Sequence, residues 1–263
     1  KGGFATKMDE NKLLLATIED KLERFHNYYC IVNTDFLNLS QQAAARGLIQ
    51  ANKDVKAFFY GGFTDAERRQ LIFVPDYVDA EDETGLIEYF HENPDLCPLV
   101  VLELSYQGGA KGKNLGHRDF LGSLLAEGIK REKLGDILVS EGGAQVVVAK
   151  ELSEYLAANY GKAGRIPLNV EVKPISCIQV SASSKQVVNL TVSSPRLDNI
   201  ISAVFHVSRK EAVSAINQGK VFVDSLEICK PDFQLRGGEK VVLRGKGKAL
   251  YVGTSGTSRK GKL

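Results

Sequence analysis

The sequence predicts a protein of the α+β class built from three consecutive segments, and three observations support this. Helix-period and strand-period stretches are mixed along the 263 residues, a length sufficient for two or three domains with their own cores. Residues 97–181 have a recognisable order of strands and helices. The charge also changes near residue 182: 14 Lys and Arg against 6 Asp and Glu follow it, whereas 20 against 26 precede it. We therefore divide the chain into residues 1–96, 97–181 and 182–263.

The first segment is predicted to be a helix-rich α/β region with a hairpin. Apolar residues recur at helical spacing over residues 9–26, and a second helix is expected near residues 38–50. Two strands joined by a Gly-Gly turn are predicted in "VKAFFYGGFTDAERRQLIFVPDY". The acidic stretch "DAEDETG", with Asn93 and Pro94 after it, indicates a surface connection to the next segment.

The second segment has the order β-α-β-β-α-β, which predicts a ferredoxin-like fold similar to that of RRM domains. Its strands are "PLVVLELS", "GDILVS", "AQVVVA" and "LNVEVKPI", and its helices are "HRDFLGSLLAEG" and "KELSEYLAANYG". The third strand carries no aromatic residue on which an RNA base could stack. We therefore expect this sheet to be a scaffold, or a surface that contacts another macromolecule, and not a reader of single-stranded RNA.

The third segment is predicted to contain two helices and a small antiparallel sheet. Ser194 is expected to cap the first helix, with Pro195 at its first position. Ser208 and Glu211 form a capping-box pattern at the start of the second helix, and Gly219 stands where a left-handed C-terminal cap belongs. Short strands are expected in "VFVD", "LEICKP", "KVVLRG" and "ALYVG".

Two cations in the first turn of the second helix, Arg209 and Lys210, oppose the helix dipole. A helix start also presents unpaired N–H groups, so added cations improve it as a site for a phosphate. The alternative is that these side chains extend into solvent. Because both positions are expected to be exposed, reversing their charges should leave the fold intact. The residues predicted to bind the phosphates of a nucleic acid are Arg196, Ser208, Arg209, Lys210, Lys220, Arg244, Lys246 and Lys248.

The pattern "RLD…SRKEAVSAINQGKVFVD…KP…LRGGEKVVLRGKGK" closely resembles the αL RNA-binding domain named after the small-subunit ribosomal protein S4. One position departs from it, because Asp224 stands where the domain usually has Asn. With "GGFTDAERRQLIFVPDY" and "GHRDFLGSLLAEGIKREKLGDILV", the chain is similar to the bacterial YlmH family over nearly its whole length. The resemblance implies binding of structured RNA, namely rRNA of the large ribosomal subunit together with tRNA. It further implies a role in ribosome-associated quality control or one linked to cell division.

Other motifs in the chain are incomplete. "GGAKGKN" is one residue short of a phosphate-binding loop and has Asn114 in place of the Ser or Thr that would hold magnesium. The "HRD" at residues 117–119 lacks the other kinase motifs, and His117 or Asp119 is expected to cap a helix. The open alternative is an RNA-modifying enzyme of the pseudouridine synthase type. Such an enzyme needs Arg-Leu-Asp followed by Gly-Leu-Leu, to which "HRDFLGSLL" is only distantly similar. We predict a protein that is not an enzyme and needs no cofactor.

The four cysteines lie far apart without metal-ligand spacing, which is typical of buried thiols in a reducing cytoplasm. No apolar run approaches the roughly 20 residues needed to span a bilayer. We therefore expect a cytoplasmic protein without a membrane span or a metal site, and the sequence leaves the oligomeric state open.

Overall fold

The computed structural model describes residues 2–109, 115–180, 187–224, 226–254 and 256, and it divides into two compact units between residues 183 and 184. The helices are α1 (Gly2–Tyr28), α2 (Leu39–Ala51), α3 (Glu83–Glu92), α4 (His117–Ala126), α5 (Ser153–Asn159), α6 (Leu197–Val204) and α7 (Arg209–Asn217). The strands of the first unit are β1 (Val32–Asn33), β2 (Ala57–Tyr60), β3 (Gln70–Phe73), β4 (Leu99–Tyr106), β5 (Leu134–Ser140), β6 (Gly143–Ala149), β7 (Lys162–Ala163) and β8 (Ile166–Pro174). Those of the second unit are β9 (Val221–Val223), β10 (Leu226–Glu227), β11 (Glu239–Leu243) and β12 (Gly247–Tyr251). The predicted α+β class is confirmed.

The N-terminal part packs α1 and α2 against a three-stranded antiparallel sheet of order β1-β3-β2. Ile18, Leu22 and Phe25 recur on one side of α1 and are buried against Leu71 and Phe73 of β3. The helix thus exists because burial of this apolar stripe stabilises it, as the spacing predicts.

The expected surface connection at residues 79–94 is wrong, because this stretch contains α3. Asp82 caps the helix by accepting a hydrogen bond from Gly85 N at 2.9 Å. Leu86 and Phe90, one turn apart, are fully buried in the hydrophobic core. The acidic residues of the stretch conceal an amphipathic helix whose apolar side consists of Leu86, Ile87, Tyr89 and Phe90.

The middle part contains a five-stranded antiparallel sheet of order β5-β6-β4-β8-β7. Its first four strands have the ferredoxin-like arrangement, whereas the short edge strand β7 was not predicted. Helices α4 and α5 cover one face, where Phe120, Leu124 and Leu156 are buried against β4 and β6. The predicted strands and helices of this segment are confirmed.

The other face of that sheet is partly covered by the N-terminal part. Phe36 lies against Gly135 so closely that a Cβ at that glycine would be 2.8 Å from Phe36 Cε1. Tyr60 and Ile175 belong to the same buried cluster, together with Val147 of β6. The division proposed between residues 96 and 97 therefore separates two parts of one compact unit.

Arg68 also ties the two parts together through hydrogen bonds to main-chain atoms. Its Nε donates to Leu134 O at 2.9 Å, and its Nη2 donates to Phe36 O at 3.0 Å. The Asp136 carboxylate accepts hydrogen bonds from Glu67 N at 2.7 Å and Arg68 N at 3.0 Å. These bonds satisfy the polar groups at the junction of the two parts.

The second unit packs α6 and α7 on a four-stranded antiparallel sheet of order β10-β9-β11-β12. Its core is formed by the apolar sides of the helices and the alternate residues of the strands, among them Leu197, Ile201, Ile216, Val221 and Val241. This is the architecture predicted for the third segment.

The expected cap of α6 is wrong, since Arg196 and not Ser194 stands at the N-cap position. The Ser194 hydroxyl instead accepts a hydrogen bond from Asn199 Nδ2 at 3.0 Å. Residues 231–235 run beside the helix start and bond its main chain, so the helix begins two residues later than its sequence indicates.

The expectation of buried thiols holds for Cys97, whereas Cys30 is half-buried and Cys177 and Cys229 are exposed. The exposed pair lies in connections beyond the ends of strands, where the core does not reach. Among the described residues, no helix combines the length and the apolar character that crossing a bilayer requires.

Candidate nucleic-acid interface

The start of α7 has the capping box that its sequence predicts. Ser208 Oγ accepts a hydrogen bond from Glu211 N at 3.2 Å, and Ser208 N donates to Glu211 Oε2 at 2.8 Å. These bonds lower the pKa of Glu211 below its ordinary value. The box leaves the main-chain N–H groups of Arg209 and Lys210 without a partner within the described chain, because first-turn donors have no carbonyl to bond inside the helix. Two donors of α7 are thus open to a ligand.

The far end of α7 is fixed by Gly219, as predicted. This residue has a φ of +65° and donates its N–H to Ile216 O at 3.0 Å. A Cβ there would lie 2.4 Å from Glu227 Oε1, so both conformation and space require glycine. The turn leads directly into β9 and sets the position of Lys220.

Arg209 has a structural partner that the sequence does not reveal. Its Nε and Nη2 donate to Asp198 Oδ2 at 3.1 and 3.0 Å. Arg196 binds the same carboxylate, with its Nε 3.1 Å from Asp198 Oδ1. Burial alone would raise the pKa of Asp198, but the hydrogen bonds and charges of both arginines outweigh it and hold the pKa below its ordinary value.

This pairing changes the reading of the first-turn cations. The Arg209 side chain is 61% exposed, as expected, but Asp198 is buried with 1% of its surface accessible. Reversing the charge of Arg209 would place a carboxylate beside a buried carboxylate, which is costly. The expectation that a double charge reversal spares the fold therefore applies to Lys210 and not to Arg209.

The start of α6 is closed and not open. Leu197 N donates to Phe233 O at 2.8 Å, and Asp198 N donates to Pro231 O at 3.0 Å. Asn199 N donates to Asp198 Oδ1 at 3.1 Å. The start of α6 therefore offers no open main-chain donors to an anion beside Arg196, although a third of the Arg196 side chain is accessible.

The remaining predicted cations lie at one end of the sheet and in the β11–β12 turn. Arg244 N donates to Lys220 O at 2.9 Å, which brings these two residues together. The Arg244 guanidinium stands 5.4 Å from the centre of the buried Phe222 ring, a cation–π contact. Lys248 is opposite Val242 in the ladder and shares the outward face of the sheet with Phe222.

Lys246, in the β11–β12 turn, lies near the start of α7, because its charge contributes to the lowered pKa of Glu211. Ser208, Lys210 and Lys246 are thus near the helix start, while Lys220, Arg244 and Lys248 are at the sheet end. All are exposed, and their RNA contacts stay a prediction.

Asp224, the departure from the αL pattern, adopts a left-handed conformation with a φ of +46°. Its side chain accepts a hydrogen bond from Lys240 N at 2.9 Å, and Asp224 N donates to Lys240 O. Asn and Asp both tolerate this region of φ. The Asp224 carboxylate thus connects the end of β9 to β11 through a hydrogen bond that an asparagine side-chain oxygen could also accept.

Sequence reasoning missed Asp198 as the residue that organises both arginines. A signal was present, since an acidic side chain in the first turn of a strongly apolar helix stands among buried neighbours.

In the "HRD" stretch, Asp119 accepts a hydrogen bond from Gly116 N at 2.8 Å, as a capping residue does. The phosphate-loop resemblance falls mainly on residues 110–114, which lie outside the described residues.

Three family models match the chain in succession. They are "YlmH, N-terminal" over residues 10–78, "Putative RNA-binding domain in YlmH" over residues 98–177 and "S4 domain" over residues 195–241.

Among individual proteins, the chain is 27% identical over 229 residues to "Ribosome-associated protein quality control protein P2" of Bacillus subtilis (strain 168). That match covers 87% of this chain and 83% of the relative. The solved structure of "Cell division protein ylmH from Streptococcus pneumoniae" matches with a TM-score of 0.50 and 22% identity. It covers 64% of this chain and 93% of that one, and it supports the fold alone. The resemblance seen in the sequence is confirmed: the chain has the N-terminal and RNA-binding domains of YlmH followed by a C-terminal S4 domain, and it is homologous to proteins of the YlmH family.

Proposed function

We propose that this protein binds structured RNA, namely rRNA of the large ribosomal subunit together with tRNA, and that it does so without catalysing a reaction. The observation that carries the proposal is the open start of α7, where two free N–H donors stand beside the exposed Lys210. It lies in the stretch that matches the S4 domain. The name of the Bacillus subtilis relative supports a place in ribosome-associated quality control, which would be cytoplasmic.

The chemistry of this surface favours phosphate over bases. Main-chain N–H groups and lysine ammonium groups bind phosphate oxygens, which position a protein on RNA without reading its sequence. Recognition would therefore depend on the shape of a folded RNA. Binding should weaken steeply as salt rises, because each phosphate contact releases counterions.

The test is sedimentation of the full chain with purified large ribosomal subunits on a gradient. The wild type should migrate with the subunit, and Lys210→Glu with Lys220→Glu should remain near the top. A matched control is Lys12→Glu with Lys53→Glu, which reverses two exposed charges in the first unit. Equal migration of the two double variants would contradict the site, and a wild type that stays at the top would contradict the ribosomal role.

The absence of catalysis has its own test. RNA from wild-type incubations should show no new pseudouridine by carbodiimide labelling and primer extension. Appearance of such a modification, and its loss in Asp119→Asn, would establish an RNA-modifying enzyme instead.

A further inference from the structure

A groove in the first unit lies between α4 and the β7–β8 hairpin. Its volume is about 600 Å³, and three cations line it: Arg118 on α4, Lys162 on β7 and Arg165 in the hairpin turn. All three side chains are exposed. The groove is separate from the α7 start, which belongs to the other unit.

The pairing of the cations in this domain singles out the groove. The described part of residues 98–177 contains eight Lys and Arg, and five of them bind groups of their own chain. Those five are Lys130 with Glu132, Arg131 with Leu134 O, Lys133 with Asp35 and Glu151, Lys150 with Asp95 O, and Lys173 with Glu171. The three without a side-chain partner in that described part are Arg118, Lys162 and Arg165. The cations available to a ligand thus converge on one place.

Two carboxylates also line the groove. Asp119 is already used, since it accepts the hydrogen bond from Gly116 N. Glu127, at the other end of α4, is the second. Three unpaired cations against one unengaged carboxylate leave the groove with a positive balance, which suits an anionic partner.

The two faces of the sheet do not offer an alternative. Helices α4 and α5 cover one face, and Phe36, Tyr60 and Ile175 cover part of the other. What remains of that second face carries Glu103 and Glu171 side by side in the ladder. Lys173 binds both, at 3.9 and 3.1 Å, so the open part keeps a negative balance. RNA stacking on this sheet, as in RRM domains, is therefore disfavoured by both burial and charge.

We propose that the α4/β7–β8 groove is a second RNA-binding surface, at which Arg118, Lys162 and Arg165 contact the phosphate backbone. This inference rests on the proposed function, and it names the part of the middle domain that would perform it. Arginine can hold a phosphate through two parallel hydrogen bonds, and lysine adds a point charge. Contacts in both units would let one RNA be held at two places on the chain, which raises affinity by effective concentration.

The test is a titration of the full chain with a fluorescein-labelled RNA hairpin over a series of salt concentrations. The groove variant combines Arg118→Gln, Lys162→Gln and Arg165→Gln. The control combines Lys12→Gln, Arg24→Gln and Lys53→Gln, which removes the same charge from exposed positions elsewhere in the unit. Thermal unfolding of each variant establishes that the fold is intact.

The groove variant should lose about tenfold in affinity at low salt, and its slope of log affinity against log salt should shrink by about two, since each lost phosphate contact removes about 0.7 to 0.9. The control should match the wild type. Equal slopes for the groove variant and the control would overturn the inference and leave the α7 site standing.

Two further outcomes separate this inference from the proposed function. If the groove variant binds the hairpin normally but no longer sediments with the ribosomal subunit, the groove contacts ribosomal protein and the inference is overturned. If the wild type binds no RNA, both proposals fall together. If the groove variant and Lys210→Glu each lower the slope of log affinity against log salt, the result supports both the groove and the α7 site.

Discussion

The starts of α6 and α7 look alike in sequence but differ in what they present. Each has an arginine at or beside the N-cap, and each belongs to the basic unit. At α6 the first N–H groups donate to Phe233 O and Pro231 O, so no donor of that first turn is left for an anion. At α7 the capping box satisfies the Ser208 and Glu211 N–H groups and leaves the two between them open.

The difference shows that a cation in a first helical turn has two separate uses. Arg196 and Arg209 bind the buried Asp198 and connect the two helices, whereas Lys210 points to solvent. Asp198 is thus the residue on which the arrangement depends. Residues that hold the fold and residues that face a ligand should therefore respond differently to substitution.

The largest effect is expected at Asp198. Asp198→Ala should lower the free energy of unfolding of the second unit by about 3 kcal/mol, because it removes a buried carboxylate that two arginines bind. Chemical denaturation of the full chain, followed by a probe in the second unit, measures this loss. Asp232→Ala, on a residue without such partners, is the control, and an equal loss in both would show that the pairing adds little.

The same pairing gives the stability a pH dependence. Since the pKa of folded Asp198 lies below its ordinary value of 3.8, its contribution is complete above that value. It is lost as the pH falls through the lower folded value. Acid titration of the wild type should show this loss, and Asp198→Ala should lack it.

The second prediction concerns the ligand-facing lysines. Lys210→Glu with Lys246→Glu should weaken RNA binding about a hundredfold at low salt, through lost phosphate contacts and repulsion. The free energy of unfolding should change by no more than about 0.5 kcal/mol, because both side chains are exposed. A large loss of stability would place these lysines with the arginines.

Arg209→Lys separates the two uses at one position. The charge is kept, but the two-pronged contact with Asp198 is lost, so stability should fall by about 1 kcal/mol. RNA affinity should stay within about twofold, since the cation remains near the helix start. A loss of affinity without a loss of stability would assign Arg209 to the RNA.

The smallest effect is expected at Asp224. Asp224→Asn keeps an oxygen to accept the hydrogen bond from Lys240 N and suits the φ of +46°. Removing the negative charge should raise RNA affinity about twofold, as expected for a charge roughly 10 Å from a phosphate in water. Isothermal titration of both forms checks this, and a weaker complex would contradict it.

Local features were readable in the sequence because short-range interactions determine them. Ser208 and Glu211 stand three residues apart, and Gly219 marks a left-handed turn, so the limits of α7 follow from the chain itself. The order of the middle strands follows from their apolar runs. The αL pattern likewise consists of residues close together in the chain, and it indicates where the candidate site lies.

The missed features depend on residues distant in the chain. Phe233 O accepts a hydrogen bond from Leu197 N at the start of α6, and Phe36 packs against Gly135, about 100 residues further along the chain. The Arg209–Asp198 pair spans 11 residues and requires two helices to pack first. No spacing rule predicts such contacts, and for that reason a structural arginine and a ligand-facing lysine look equivalent in sequence.

The most direct measurement is the change of main-chain amide resonances when a structured RNA is titrated into the isotope-labelled full chain. We predict that the Arg209 and Lys210 amides shift, because their N–H groups are open, and that the Leu197 and Asp198 amides do not. Shifts at Leu197 and Asp198 with none at Arg209 and Lys210 would contradict the division between the two helix starts.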